Sequence, residues 1–124
     1  MSVERRFEVV AGCKVVWSAG EIALSGDIDA GNAAVIGELI CVLVGAAVVT
    51  VDCTALTFLD AAGMRMLLRV GAAAAARDTI LPLRCSPAVL EVFYIFHAWD
   101  APGLVIEPGT AMNQDDSDWP GSPE

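Results

Sequence analysis

The sequence is poor in positive charge. Seven Lys and Arg stand against sixteen Asp and Glu in 124 residues, for a net charge of −9 and a pI near 4.3. Such a chain repels phosphate backbones and anionic headgroups, so binding to nucleic acid or to a membrane surface is not expected. Charge of either sign is scarce too, at 19%, while apolar residues reach 56%, which excludes an intrinsically disordered protein. A chain this long forms one domain and buries roughly two-thirds of its unfolded surface.

Catalytic and metal-binding signals are sparse. The single histidine, His97, has no Ser or Cys near it in sequence to activate, and reads as a packed or surface residue. Cys13, Cys41, Cys53 and Cys85 make neither a CxxC pair nor a Cys/His cluster, so no metal site is expected. No Gly-rich phosphate cradle is present, and no cofactor is implied. Asp27, Asp29 and Asp60 are three carboxylates at turns and helix starts, where capping is their ordinary role. The reading is therefore of a protein that is not an enzyme. The opening MSVERRFE has two arginines but no apolar run behind them, which predicts no secretory signal, a cytoplasmic location and free thiols.

One apolar stretch, Ala33 to Val51, has the length of a membrane span with Glu38 as its only charge. Its flanks are acidic (Asp27, Asp29, Asp52) and hold no nearby base, and Gly45 divides it. It reads as a soluble helix, a turn and a buried strand.

Hydrophobic periodicity supplies the remaining elements. Phe7–Val10, Lys14–Trp17 and Ile22–Leu24 are short β-like runs. Gly26 to Asp29 reads as a turn, with Asp29, or alternatively Asn32, capping a helix from about Ala30 to Val44. Val48–Asp52 is the apolar strand, and Cys53–Leu59 a connector leading to Asp60 as cap of a helix from Met64 to Arg77. Ile80–Arg84 reads as a strand that tolerates Pro82 near an edge or bend. Ser86-Pro87 is the clearest boundary, an N-cap followed by proline at the first helical position, before a helix to Phe96. Leu104–Glu107 adds a last strand. Residues 1–107 are thus expected to form the domain, and residues 108–124, with four acids and no base, a disordered acidic tail. Alternating strands and helices after an opening hairpin predict an α/β fold, a small mixed β-sheet covered by α-helices. Sites in such sheets favour the carboxyl ends of strands, which here means the Gly26–Asp29 and Cys53–Gly63 segments.

Three pieces of this chain, in this order, carry a resemblance: Leu24-Ser25-Gly26-Asp27-Ile28-Asp29, the run from Val49 to Met64, and Cys85-Ser86-Pro87-Ala88-Val89. Over roughly residues 7 to 107 the chain resembles the STAS domain family, and within it the bacterial anti-sigma factor antagonists. The resemblance implies a protein that binds an anti-sigma factor, a kinase-like partner, and so frees a sigma factor for transcription by partner switching. In phosphorylated members an Asp-Ser-Ser/Thr-Gly motif opens the second helix, and the serine after Asp receives phosphate. Here the motif is Asp60-Ala61-Ala62-Gly63. Ala61, at the phosphoacceptor position, has no hydroxyl, so the usual switch is missing. The implied partner surface comprises Asp27, Asp29, Asp60, Ala61, Ala62, Gly63, Met64 and Arg65, with Met64 as apolar contact. Arg65 and Arg69, four apart, share one exposed helix face, which is either solvated surface or half of an acidic partner's docking site.

The protein is then either constitutively able to bind or controlled by other chemistry. Cys53 and Cys85 end two predicted strands that, if adjacent and parallel, lie within disulfide reach, and are the candidate redox thiols, although cysteine is commonly buried and four packed, inert thiols are the ordinary reading. Thr54 and Thr57 are alternative phosphoacceptors. A second reading is a non-enzymatic STAS subunit of a larger signalling or transporter-associated assembly, docked through the apolar helix after Asp29.

Overall fold

The computed structural model describes residues 6–18, 20–46 and 50–109. The tail beyond Gly109, and Val48 and Val49 of the expected strand, lie outside the described residues. The elements run β1 (Arg6–Val10), β2 (Cys13–Ser18), β3 (Glu21–Ile28), α1 (Ala33–Ala46), β4 (Thr50–Leu59), α2 (Ala61–Ala76), β5 (Leu81–Cys85), α3 (Pro87–Ile95) and β6 (Leu104–Pro108). The six strands form one sheet in sequence order, with β1, β2 and β3 antiparallel and β3 to β6 parallel.

That topology follows from local chemistry. Ala11 and Gly12 both take positive φ, the condition for a two-residue hairpin turn that matches strand twist, so β1 folds directly onto β2. β3, β4 and β5 are each followed by a helix, and a helical crossover returns the chain in the same direction. One sheet face is the core: Val15, Ile22, Leu24, Val51, Leu81, Leu83 and their neighbours are buried, as are Ile36 and Ile40 of α1 and Met64, Leu67 and Val70 of α2. The alternating burial of β2 and β5 fits a sheet covered on one face only.

Several boundaries differ from the sequence reading, each for a physical reason. Cys53–Leu59 is strand, not connector. Its alternation is disguised because β4 carries extra residues opposite β3, one between the Ala23–Asp52 and Ser25–Ala55 pairs and one between Gly26–Leu56 and Asp27–Phe58. Cys53 and Thr54 are therefore consecutive buried residues, and Thr57 and Phe58 consecutive exposed ones. The expected turn at Gly26 is likewise strand, β3 extending to Ile28. α2 begins at Ala61 rather than Met64 because Asp60 caps it there. Pro82 sits in an interior strand; it is accommodated because pairing with β4 starts only at Leu83. His97 stops α3 by adopting φ 54°, while the Ala98 N–H returns to the Phe93 carbonyl at 2.9 Å. Among the described residues no helix is long and apolar enough to cross a membrane, and α1 ends after 14 residues.

Candidate functional site

The carboxyl ends of β3 and β4 meet the N-termini of α1 and α2, and a single side chain ties this region together. Asn32 is 1% exposed. Its Nδ2 donates to the carbonyls of Val10 (3.2 Å), Ala11 (3.0 Å) and Asp27 (3.0 Å), and its Oδ1 accepts from the Asp29 N–H at 2.9 Å. The β1–β2 turn, the end of β3 and the start of α1 are thus held by one amide. Asn32 also occupies the cap position of α1 through its backbone, its carbonyl accepting from the Ile36 N–H. The Asp29 side chain instead accepts from the Gly31 N–H at 2.8 Å, which is turn rather than cap geometry. Gly26, at φ +99°, lies so close to the Gly12 carbonyl that a Cβ there would collide with it.

On the other side of the site, Asp60 takes an extended backbone and its Oδ1 accepts from the Gly63 N–H at 3.0 Å. Its own N–H donates to the Ile28 carbonyl at 3.2 Å, joining the α2 start to the end of β3. The Thr57 hydroxyl lies 2.9 Å from Asp27 Oδ1 and 3.2 Å from the Gly26 carbonyl. A Cβ at Gly63 would lie 2.5 Å from Leu59 Cδ1 and 3.0 Å from Ile28 Cγ2, so the first turn of α2 rests directly on the strand ends. The segments expected to frame a contact surface are therefore adjacent.

The individual residues divide by exposure. Asp27, Ala61 and Arg65 are exposed, Asp29, Asp60 and Ala62 half-buried, and Gly63 and Met64 buried. The expectation that Met64 offers apolar contact is corrected: it is 0% exposed, because the helix phase set by the Asp60 cap turns it onto the sheet. The exposed apolar side chain at this surface is Phe58, brought outward by the β4 bulge and missed in the sequence because bulges leave no composition signal. Of the alternative hydroxyls, Thr54 is buried and bonded to Asp52 at 2.6 Å, and Thr57 is exposed.

Cys53 and Cys85 are register partners on β4 and β5, both free and both 0% exposed. Burial pushes the Cys53 thiol well above its ordinary pKa, and burial, helped by Glu107 and Asp52, pushes Cys85 up to about 12. Burial also raises Cys13. This environment is the opposite of what a redox-responsive thiol needs, which is access and an accessible thiolate. Native protein should consume one equivalent of an aromatic disulfide reagent quickly, at exposed Cys41, and the other three only at the rate of unfolding. Fast reaction of more than one thiol would overturn this.

A pH effect follows with a definite sign. A thiol whose folded pKa is raised contributes stability that is fully present below its unfolded pKa, near 8.5 to 9, and is lost as pH rises toward the folded value. Unfolding stability should fall above about pH 9, with up to about 1.4 kcal/mol per pH unit from each such thiol. Replacing Cys85 by Ala should flatten the slope between pH 9 and 12; an unchanged slope would contradict the assignment.

A family model described as "Mlab, STAS domain" matches residues 16–104. The chain belongs to the STAS domain family. The fold agrees: an anti-sigma factor antagonist from Mycobacterium paratuberculosis superposes with a TM-score of 0.55 at 17% identity, over 84% of this chain and 86% of that one. The anti-sigma factor antagonist SpoIIAA in its unphosphorylated form superposes with a TM-score of 0.51 at 18% identity, over 94% of each chain. No curated protein matches the sequence of this STAS domain. The mixed sheet with three helices is the fold the sequence resemblance implied.

Proposed function

We propose that this STAS domain is an anti-sigma factor antagonist. It binds a kinase-like anti-sigma factor through the surface formed by the β3 end and the first turns of α2, and thereby releases a sigma factor. It acts as a regulator in the bacterial cytoplasm, not as an enzyme. The observation that carries this reading is the exposed Ala61 directly after the Asp60 cap, on a helix start pinned to β3 and β4. Asp27 and Arg65 offer charge at this surface and Phe58 offers apolar area, a mixture suited to a protein partner. Ala61 and Ala62 accept no phosphate, so binding is not switched off there.

The test is reconstitution with candidate anti-sigma kinases, with and without ATP. A stable complex that persists in ATP, with no phosphate adduct on this chain by mass spectrometry, is expected. Absence of binding to any of them, or a stoichiometric phosphate on Thr57, would overturn the reading.

A second reading, a subunit of a larger STAS assembly, is favoured by one observation. α1 exposes Val35 and Val42, and the end of α3 exposes Tyr94, Ile95 and Trp99. Surface helices are ordinarily polar outward, and apolar outer faces mark contact sites. Sedimentation of the purified chain separates the two readings: stable large oligomers favour the assembly.

A further inference from the structure

α1 and α2 pack side by side, and between them runs an apolar groove of about 500 Å³, the size of a binding pocket. Its floor is set by Gly37, where an added Cβ would lie 2.7 Å from Met66 Cγ; the missing side chain brings the helices together there. Val42 and Val70 line the groove, Cys41 opens into it, and only two charged residues, Glu38 of α1 and Arg69 of α2, border it. Val42 is 69% exposed, so this apolar surface is presented to solvent.

The charges around the groove are not symmetric. Arg69 lies one turn beyond Arg65, so the two guanidinium groups share the exposed side of α2. Neither forms an ion pair with a described residue, although the chain as a whole carries −9. They form a cationic ridge that begins beside Ala61 and ends at the groove. The opposite wall carries Glu38 alone.

We infer that the α1–α2 groove seats an acidic amphipathic helix of the partner, its apolar side chains in the groove and its carboxylates against Arg65 and Arg69. The ridge is continuous with the Ala61 surface, so one partner can cover both; this extends the antagonist reading, on which the partner's identity rests. Glu38 fixes the direction of the occupant by rejecting carboxylates on the α1 side. A second copy of this chain fits less well, because its α1 offers a single carboxylate, Glu38, to the two arginines, and its α2 offers arginines to arginines. Recognition of this kind, apolar anchors in a groove with flanking charge, is a common way to hold a helix.

Cys41 makes the test direct, since it is the exposed thiol and it borders the groove. The probe is a synthetic amphipathic helix of about four turns with leucine anchors and a glutamate flank, compared with the same peptide carrying lysine on that flank. The acidic peptide, at ten times its Kd, should slow alkylation of Cys41 in the full chain by about tenfold, and the lysine peptide should not. Arg65→Glu with Arg69→Glu should reverse the preference, and circular dichroism checks that this exposed double variant folds. Equal protection by both peptides, protection by neither, or protection that survives the charge reversal would overturn the inference. So would protection that grows with the chain's own concentration in the absence of peptide, which would identify a second copy as occupant. The two proposals fail separately. An anti-sigma factor that binds while Cys41 stays fully reactive overturns the groove and leaves the antagonist reading; protection by the acidic helix, with no anti-sigma factor binding, does the reverse.

Discussion

Replacing Asn32 by Ala should destabilise the domain by about 3 kcal/mol, among the largest losses available from a single polar side chain here. The argument rests on what is left behind. The amide satisfies the carbonyls of Val10, Ala11 and Asp27 and the N–H of Asp29, at a position closed to solvent. Removing it takes a hydrogen-bond partner from each of these groups, and a buried group left unsatisfied costs on the order of 1 to 3 kcal/mol, less where water can enter. In a domain of this size the midpoint of thermal unfolding should drop by roughly 10 to 20 °C. Asn32→Asp sharpens the test, because it changes one atom. It keeps the acceptor for Asp29 but loses the donors and turns a negative oxygen toward three carbonyls, so it should be at least as damaging as Ala. Urea unfolding measures both. A loss under 1 kcal/mol for Asn32→Ala would mean that the three loops hold one another without it.

Ala61→Asp should leave the fold intact and weaken partner binding by about 100-fold, equivalent to about 2.7 kcal/mol. Ala61 is exposed at the first helical position of α2, where the unpaired N–H groups of the first turn favour negative charge. The substitution therefore costs no stability and gains a few tenths of a kcal/mol. At the proposed interface, which would receive the small neutral side chain, the same charge brings repulsion and desolvation cost. The two readouts move in opposite directions, which separates a binding defect from a folding defect. Titration against the anti-sigma factor, together with a melting curve, decides it. Undiminished affinity would place the contact surface elsewhere on the domain.

Features whose partners lie within a few residues were legible in the sequence. Ser86 has the extended backbone of an N-cap and accepts from the Val89 N–H, as the Ser86-Pro87 signal predicted. Asp60 caps α2 through Gly63, three residues on. The order of strands and helices, the division of the Ala33 to Val51 stretch into helix and strand, and the single-domain α/β architecture also followed from local pattern. Capping and periodicity are short-range effects, and a linear sequence displays them directly.

Tertiary structure decided the rest, because the controlling contacts span tens of residues. Asn32 reads as one of two possible caps until its amide is seen to reach carbonyls 21 and 22 positions earlier. The second hydrogen bond of the Ser86 hydroxyl, to the Leu56 carbonyl, joins positions 30 apart. The bulges in β4 exist only relative to β3, so the burial of Thr54 and the exposure of Phe58 have no counterpart in local alternation. Its place in the motif puts Met64 at the surface, yet the phase of α2 and the close seat of Gly63 put it in the core. The amino-acid pattern by itself thus determined the order of helices and strands and the caps that open α2 and α3. Which side chains face a partner was settled by strand register and helix docking, since burial depends on neighbours that the linear sequence does not place side by side.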